Sequence, residues 1–473
     1  MAIGLVRTKA MALMLGPAGF GLMGALTTVV DLARSVAEMG INNSGVRQIA
    51  EASASGDAQR IARTITVLRR SALVLGVIGA VALAALSRQV AELTFGNTDY
   101  AGAIALLSLA VFFRLVADGQ GALLQGMRRV GDVAKIGVAG ALAGTALSIP
   151  LVYWLREQGV ALSLVVVAAV TFVVSWRYSR RIEIEPAELS AALARQEVSA
   201  LLRLGLAFMA SSLVTVAAAY VVRIVLIRQA GLEAAGLYQA AWTIGGLYVT
   251  FVLQAMGTDF YPRLVGVALD NSECNRLVNE QAHVSLLLAG TGVLATLTFA
   301  PWVVSLLYSE DFRAATDVLR WVCLGMALRV VTWPLGYVLV AKGEKTLFVG
   351  VDLAWALVNV ALTVACVRFF GLTGAGIAFF GSYVFHLLIV YPITRRLTGF
   401  RWSSTNVRTG ILFVGSIATV HAGFFLLGHT VAMGVGVLAV VGSALYAVHS
   451  LRSLVAPEQI PKKLAWLLRL RHP

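Results

Sequence analysis

The sequence predicts an all-α polytopic membrane protein that crosses the bilayer about thirteen or fourteen times. Of its 473 residues 59% are apolar and only 13% are charged, whereas a soluble domain carries about 25% charged residues. The apolar residues occur in runs that approach or exceed the roughly 20 residues a membrane-spanning helix needs. No motif for ATP hydrolysis, metal binding or covalent catalysis stands out. We therefore expect a membrane protein that is not an enzyme and binds no cofactor.

Thirteen apolar segments follow one another along the chain. They lie at about 17–38, 71–95, 102–124, 136–154, 160–176, 204–228, 236–257, 283–307, 318–340, 348–369, 375–392, 409–427 and 431–448. A fourteenth candidate, Met1–Leu15, is short, because fifteen helical residues rise about 22 Å against an apolar core of roughly 30 Å. We expect this first helix to be truncated.

Basic residues in the loops predict the orientation. One alternating set of loops, with the C-terminal tail, holds 26 Lys and Arg residues, whereas the other set holds only Arg156 and Arg313. Because Lys and Arg concentrate on the cytoplasmic side, we expect that set and the C-terminus to be cytoplasmic. This distribution accounts for most of the net charge of +14, so no nucleic-acid partner is required. The tail 457–473 suits a short interfacial helix on membrane lipids or a frayed basic segment.

The chain also resembles itself at a spacing near 215 residues. The matches are Gly21 with Gly236, Arg114 with Arg329, Gly121 with Gly336, Gly159 with Gly374, and Arg180-Arg181 with Arg395-Arg396. Gly131 and Gly343 are 212 residues apart, which suggests a local shift of three residues. Each copy holds six segments, so the copies share one orientation in the membrane.

This repeat predicts two six-helix bundles related by a parallel pseudo-twofold axis, plus two C-terminal helices. The expected division is 1–182 for the first bundle, 183–203 for a cytoplasmic linker, 204–397 for the second bundle, 409–448 for two additional helices and 449–473 for a basic cytoplasmic tail. Two packed bundles are typical of transporters that work by alternating access.

Eight arginines fall inside the apolar segments, where each charge costs at least about 2.5–3.5 kcal/mol. Four lie near segment ends and can extend to the interface: Arg88, Arg228, Arg320 and Arg368. Arg114 and Arg329 instead lie mid-segment at repeat-related positions, and a guanidinium suits bidentate contact with phosphate. We predict that both line a central cavity and bind substrate phosphates. The alternative is structural neutralisation, of Arg114 by Asp118.

Further charged residues in the segments are candidates for the same site. Arg223 and Arg34 are additional phosphate ligands, although Arg34 lies between Asp31 and Glu38 and equally suits a structural ion cluster. Asp31 and Asp118 are candidates to carry a coupling ion, with simple pairing to an arginine as the alternative. The three cysteines, Cys274, Cys323 and Cys366, lack metal-ligand spacing and fit small apolar fillers.

Several stretches share the pattern of a known family. They are Leu15–Leu22 (LGPAGFGL), Gly40-Ile41 with Gly45–Glu51, Met256–Leu264 (MGTDFYPRL), Val278–Gln281, Leu306–Ser309 with Phe312, Ala341–Gly343 and Gly371–Phe379 (GLTGAGIAF). Through them the chain resembles the Wzx-type O-antigen flippases. These form the polysaccharide-transporter branch of the multidrug/oligosaccharidyl-lipid/polysaccharide (MOP) exporter superfamily. The resemblance covers about residues 15–402.

The resemblance implies a function in the bacterial inner membrane. Family members move undecaprenyl-pyrophosphate-linked oligosaccharides from the cytoplasmic to the periplasmic leaflet, through a cationic cavity and by antiport with protons or Na⁺. A polysaccharide polymerase and a chain-length regulator are further expected partners. Three alternatives stay open: a peptidoglycan-precursor flippase, a multidrug or cation antiporter of the same superfamily, and a non-transporting scaffold of a polysaccharide assembly complex.

Overall fold

The computed structural model describes residues 2–55, 57–182 and 191–454, and these residues fold into α-helices joined by short turns. The helices are α1 (Ala2–Glu38), α2 (Ile41–Ser55), α3 (Ala58–Ala85), α4 (Ser87–Phe95), α5 (Ala101–Gly126), α6 (Val130–Leu155), α7 (Gln158–Ser179), α8 (Ala191–Gly266), α9 (Asn271–Thr298), α10 (Ala300–Leu307), α11 (Ala315–Ala341), α12 (Lys345–Thr398), α13 (Ser404–Leu426) and α14 (His429–Leu454). A 3₁₀ helix, Glu310–Phe312, precedes α11.

Eleven helices in this part of the chain are long and apolar enough to cross a membrane. Two of them are too long for one crossing, because the 58 residues of Met209–Gly266 rise about 87 Å, nearly three times the apolar core. Each long helix contains a glycine with a non-helical backbone, Gly231 in α8 and Gly371 in α12. Dividing both helices there gives thirteen spans, and α1 has a third break of this kind at Gly16, which separates a short N-terminal helix as a fourteenth. This count agrees with the prediction of thirteen to fourteen.

The 215-residue spacing recurs in the backbone. Three pairs of residues with positive φ are separated by this distance: Gly16 and Gly231, Arg128 and Gly343, and Arg156 and Gly371. Positive φ is uncommon outside glycine, so the recurrence reflects equivalent turns in the two copies. At Arg156 (φ 51°, ψ −130°) and Gly371 (φ 57°, ψ −139°) both dihedral angles nearly coincide.

The same turn also corrects the register of the sequence repeat. The N–H of Arg129 donates to the carbonyl of Leu124 at 2.8 Å, and the N–H of Glu344 donates to that of Leu339 at 2.9 Å. These hydrogen bonds pair Gly343 with Arg128 rather than with Gly131. The three-residue shift suggested by the glycines is therefore wrong at this turn, because the positive-φ position holds glycine in only one copy.

The chain divides into two compact units. One comprises the described residues up to Gln239 together with Leu307–Phe312, and the other comprises Ala240–Leu306 and the residues from Arg313 onward. The core of the first unit includes Leu26 and Val111, and a core of the second includes Phe260 and Val338. The division into a 1–182 bundle, a 204–397 bundle and two extra helices stays a prediction.

Parts of two predicted segments are not described. Residues 183–190 of the expected linker lie outside the described residues, whereas residues 191–203 form the start of α8 and continue into the next span. The tail helix expected at 457–473 also lies outside the described residues. Of the predicted span 71–95, the structure assigns 71–85 to α3 and 87–95 to the separate helix α4.

Within the first unit, α1 and α8 touch through two repeat-related glycines. A Cβ at Gly21 would overlap the carbonyl oxygen of Leu232, and one at Gly236 would overlap that of Pro17. The two backbones therefore approach as closely as small residues allow, which is typical of helix contacts in membranes. This contact fixes the segment of α1 that carries the charged residues described below.

We predict that Gly236→Ala destabilises the protein by about 1–3 kcal/mol, because the new methyl group has no space. The measurement is the midpoint of thermal unfolding in detergent, followed by size-exclusion chromatography. The control is Gly350→Ala, at a helical position where a Cβ meets nothing within 4 Å. Equal midpoints for Gly236→Ala and Gly350→Ala would contradict the close contact.

Candidate functional site

The first unit contains a cluster of charged residues on α1 and α5. Asp31, Arg34 and Glu38 are spaced i, i+3 and i+7 on α1, and this spacing places them on one face of the helix. Arg114 and Asp118 are one turn apart on α5. The cluster therefore brings together four of the residues predicted from the sequence, and it adds Glu38.

Ion pairs in this cluster join the two helices. Arg114 Nη1 lies 2.6 Å from Asp31 Oδ1, and Arg34 Nη1 lies 2.8 Å from both Asp118 Oδ2 and Glu38 Oε2. The alternative in which Asp118 neutralises Arg114 on the same helix is not observed, because Arg114 pairs with Asp31. Asp118 binds Arg34 instead, because α1 brings an arginine to it across the helix contact.

The cluster is accessible. The side chains of Arg114 and Asp31 are 34% and 39% exposed, and that of Asp118 is 43% exposed. A charged group at membrane depth faces either a water-filled cavity or other protein groups, because contact with hydrocarbon is too costly. The exposed parts of these side chains are therefore expected to face water or other polar groups rather than hydrocarbon.

Arg7 also belongs to the cluster, although it lies before the thirteen apolar segments and is not one of the eight arginines inside them. It lies on the N-terminal part of α1, near enough to Arg114 for the two positive charges to repel. With Arg7 and Glu38 included, the cluster holds three arginines and three carboxylates. The signal in the sequence was an arginine inside an otherwise apolar stretch.

Arg223 lies behind this cluster and is only 9% exposed. Its Nη2 donates to Oε1 of Gln239, and its Nη1 occupies the space that a side chain at residue 24 would need, which explains Gly24. Its Nε and Nη1 find no hydrogen-bond partner among the described residues, and Asp31 is near enough to favour its charge. Since Arg223 is buried in this conformation, its proposed contact with phosphate requires the site to open.

Arg329 differs from its repeat-related partner Arg114. It lies in the second unit on α11, is half-buried and forms no ion pair within the described part of the chain. The groups that sense its charge are Tyr383 and His386 on α12. The structure therefore distinguishes the two arginines: Arg114 is paired with a carboxylate, whereas Arg329 forms no ion pair among the described residues.

An apolar cavity of about 480 Å³ lies on the opposite face of the same α1 segment. It is lined by side chains of α1, α3 and α4, among them Val29, Val36, Leu75 and Leu93, and by Tyr220 of α8. The hydroxyl group of Tyr220 is hydrogen-bonded to Thr94 at 2.6 Å. The cavity therefore suits an apolar chain, because its one phenolic group is already paired.

Comparison with known proteins identifies the family. Residues 1–266 match the family described as polysaccharide biosynthesis protein, which is more than half of the chain. The chain belongs to this family. The resemblance to polysaccharide transporters found in the sequence is thereby confirmed.

Two curated relatives of this polysaccharide biosynthesis protein come from Escherichia coli (strain K12). The Lipid III flippase is 24% identical over 415 residues, which cover 83% of this chain and 95% of that protein. The lipopolysaccharide biosynthesis protein WzxC is 24% identical over 348 residues, which cover 73% of this chain and 67% of WzxC.

Solved structures show the fold. A multidrug resistance MATE family transporter of the MOP superfamily, in an inward-facing conformation, matches with a TM-score of 0.68 and 16% identity, over 84% of this chain and 95% of its own. The lipid II flippase MurJ, in an inward closed conformation, matches with a TM-score of 0.66 and 11% identity, over 95% and 97%. The prediction of a polytopic helical transporter fold is confirmed. The Lipid III flippase, MurJ and the MATE transporter are named as flippases or transporters, in agreement with the expectation that the chain is not an enzyme.

We predict that Arg34→Ala lowers the stability of the protein, because it leaves Asp118 and Glu38 as neighbouring carboxylates without a shared cation. The unfolding midpoint in detergent should fall, and Asp118→Asn in the same chain should restore part of the loss. The control is Arg47→Ala, which breaks an exposed pair with Glu51 and should change stability by less than about 1 kcal/mol. If Asp118→Asn gives no rescue, Arg34 does not serve to neutralise that carboxylate.

Proposed function

We propose that this protein is a flippase for lipid-linked oligosaccharides. Its substrate is an undecaprenyl-pyrophosphate-linked repeat unit of O-antigen or a related polysaccharide, moved from the cytoplasmic to the periplasmic leaflet of the inner membrane. The observation that carries this proposal is Arg329, a half-buried arginine in a membrane span with no carboxylate partner among the described residues. Membership of the family, the likeness to the Lipid III flippase and the likeness to a lipopolysaccharide biosynthesis protein support it.

The charges of the site match those of the proposed headgroup. A pyrophosphate is anionic, and an arginine in a partly desolvated space forms strong, bidentate hydrogen bonds with phosphate oxygens. Arg329 is ready for that contact, whereas Arg114 must first exchange Asp31 for phosphate. We assign Arg329 and Arg114 to phosphate binding, with Arg34 and Arg223 as secondary cations that help to hold the cluster together.

The lipid tail and the sugars need different surroundings. The apolar cavity beside α1 suits part of a polyprenyl chain, since its walls are carbon and the hydroxyl group of Tyr220 is paired. The sugars need polar or aromatic groups close to the phosphate. A substrate that joins these parts explains why one helix, α1, carries charges on one face and an apolar cavity on the other.

The pairing of Asp31 with Arg114 supports a proposal for coupling to a cation. When phosphate binds Arg114, Asp31 loses its partner, and the carboxylate can then take up a proton or Na⁺. Release of the substrate restores the Arg114–Asp31 pair and expels the cation. In this proposal the site alternates between two states: either Arg114 binds phosphate and Asp31 binds the cation, or the two residues pair with each other. Asp118 and Arg34 form a second ion pair of the same kind.

We further propose that the basic loops and the C-terminus face the cytoplasm, and that the protein works beside a polysaccharide polymerase and a chain-length regulator. The loop charges support the orientation. Because the likeness to MurJ and to the MATE transporter shows the fold alone, it favours neither a peptidoglycan precursor nor a cationic drug as the substrate.

We predict that Arg329→Ala reduces transport at least tenfold, and that Arg329→Lys restores only part of it, because an ammonium group cannot bind phosphate in the bidentate manner of guanidinium. Surface polysaccharide is measured in cells whose own copy of the gene has been deleted and which carry each variant. Arg368→Ala, at an exposed position on α12, is the control and should support normal transport. Normal polysaccharide levels with a well-expressed Arg329→Ala protein would refute the assignment.

We predict that Asp31→Asn binds polyprenyl pyrophosphate more tightly but transports it without response to a pH or Na⁺ gradient. The tighter binding is expected because the amide competes less than the carboxylate for Arg114. Affinity is measured in nanodiscs and gradient-driven flipping in proteoliposomes, with Glu51→Gln at the exposed pair as the control. Gradient-driven flipping by Asp31→Asn at the wild-type rate would show that another group carries the coupling ion.

A further inference from the structure

We propose that one face of α11 binds the first sugar rings of the substrate, with Trp333 and Tyr337 as a stacking platform next to Arg329. The inference rests on the proposed function and extends it, since it assigns a subsite for a pyranose ring to residues of the second unit. Both aromatic side chains are half-buried, so part of each ring is accessible.

The spacing of the three residues fits a phosphate followed by sugars. Arg329, Trp333 and Tyr337 are at i, i+4 and i+8 on α11, so they lie along one side of the helix at steps of about 6 Å. A ligand whose phosphate contacts Arg329 therefore meets one aromatic ring per turn. This step is close to the length of one sugar unit, so successive rings of an oligosaccharide can contact successive side chains.

The aromatic groups form a compact cluster with available polar atoms. The ring centroids of Trp333 and Tyr337 are 4.6 Å apart, and Tyr261, from the end of α8, lies 5.5 Å from Tyr337. Neither the indole N–H of Trp333 nor the hydroxyl group of Tyr337 makes a hydrogen bond within the described residues. Aromatic side chains with an unpaired polar end suit a pyranose, which has an apolar C–H face and hydroxyl groups at its rim.

Two glycines shape the platform. At Gly257 a Cβ would come within 3.0 Å of Trp333 Cζ2, so the absence of a side chain lets the indole pack against α8. At Gly336, between the two aromatic positions, a Cβ would meet nothing within 4 Å. A helical glycine beside open space leaves room for a ligand close to the α11 backbone.

The aromatic pair occurs in only one of the two copies, although both rings also pack against the core residue Phe260. At the 215-residue spacing, Trp333 corresponds to Asp118 and Tyr337 to Ala122, whereas Arg329 corresponds to Arg114 and Gly336 to Gly121. The arginine and the open glycine are thus common to both copies, and the aromatic pair occurs only in the second. We infer that the second copy has been adapted to a ligand that extends beyond the phosphate.

The test compares polyprenyl pyrophosphate with the same lipid carrying one glucose, galactose or N-acetylglucosamine. The affinity of the protein in nanodiscs is measured for each lipid. The quantity compared is the ratio of the affinity for the glycosylated lipid to the affinity for the lipid without sugar. In the wild type at least one sugar should improve affinity about fivefold, which is the size expected for an aromatic stacking contact. Trp333→Ala and Tyr337→Ala should bring that ratio close to one and leave binding of the bare lipid unchanged.

Control variants separate recognition from packing. Trp333→Phe and Tyr337→Phe keep an aromatic ring and should keep most of the ratio. Gly336→Val should lower the ratio by filling the open space, whereas Gly350→Val and Trp302→Ala, at exposed positions of the second unit, should not.

The outcomes distinguish this inference from the proposed function. If the wild-type protein fails to bind even the bare lipid, the proposed function is wrong. If it binds the bare lipid but no glycosylated form binds more tightly, or if the ratio survives both alanine substitutions, then α11 does not provide the sugar subsite.

Discussion

The cost of placing a charge inside a membrane governs the arrangement of the first unit. An isolated ion in a low-dielectric interior is strongly disfavoured unless it is paired and hydrogen-bonded. Asp31, Glu38 and Asp118 each contact an arginine; the pairs of Asp31 and Asp118 join α1 to α5, whereas that of Glu38 lies within α1. The same helix α1 packs closely against α8 at Gly21 and Gly236. Pairing thus links the packing of the helices to the chemistry of the site.

The same constraint explains why the two repeat-related arginines behave differently. The carboxylate of Asp31 lowers the free-energy cost of holding the charged Arg114 at membrane depth. It also opposes the binding of an external anion, because the internal ion pair must be broken first. Arg329 lacks such a partner within the described residues, so its charge is not neutralised by an internal carboxylate.

Much of this fold can be predicted from the sequence, because membrane helices are recognised by the length and hydropathy of their apolar runs. The thirteen spans agree with the structure once α8 and α12 are divided at Gly231 and Gly371. The boundaries agree less well, and the predicted span 71–95 is broken after Ala85. Hydropathy alone does not mark such breaks, because a break inside an apolar run leaves the composition unchanged.

The candidate site was only partly predictable. Sequence identified Arg34, Arg114, Asp31 and Asp118, since charged residues in apolar runs are conspicuous. The alternative considered for Arg114 was neutralisation by Asp118 one turn away, whereas the structure pairs Arg114 with Asp31. Partners that are 83 or 84 residues apart cannot be read from local spacing. Arg7 was not among the predicted site residues, because it lies near the terminus and outside the thirteen segments. The burial of Arg223 could not be predicted, because it depends on how α8 packs against Gly24 of α1.

The paired turns at a spacing of 215 residues show where the internal repeat is clearest. Arg128 and Arg156 adopt backbone conformations that glycine adopts in the other copy, at Gly343 and Gly371. The same turn geometry therefore occurs with an arginine in one copy and a glycine in the other. Dihedral angles consequently define the register of the repeat better than residue identities do. Aligning the copies by identical glycines would pair Gly131 with Gly343 and shift that register by three residues.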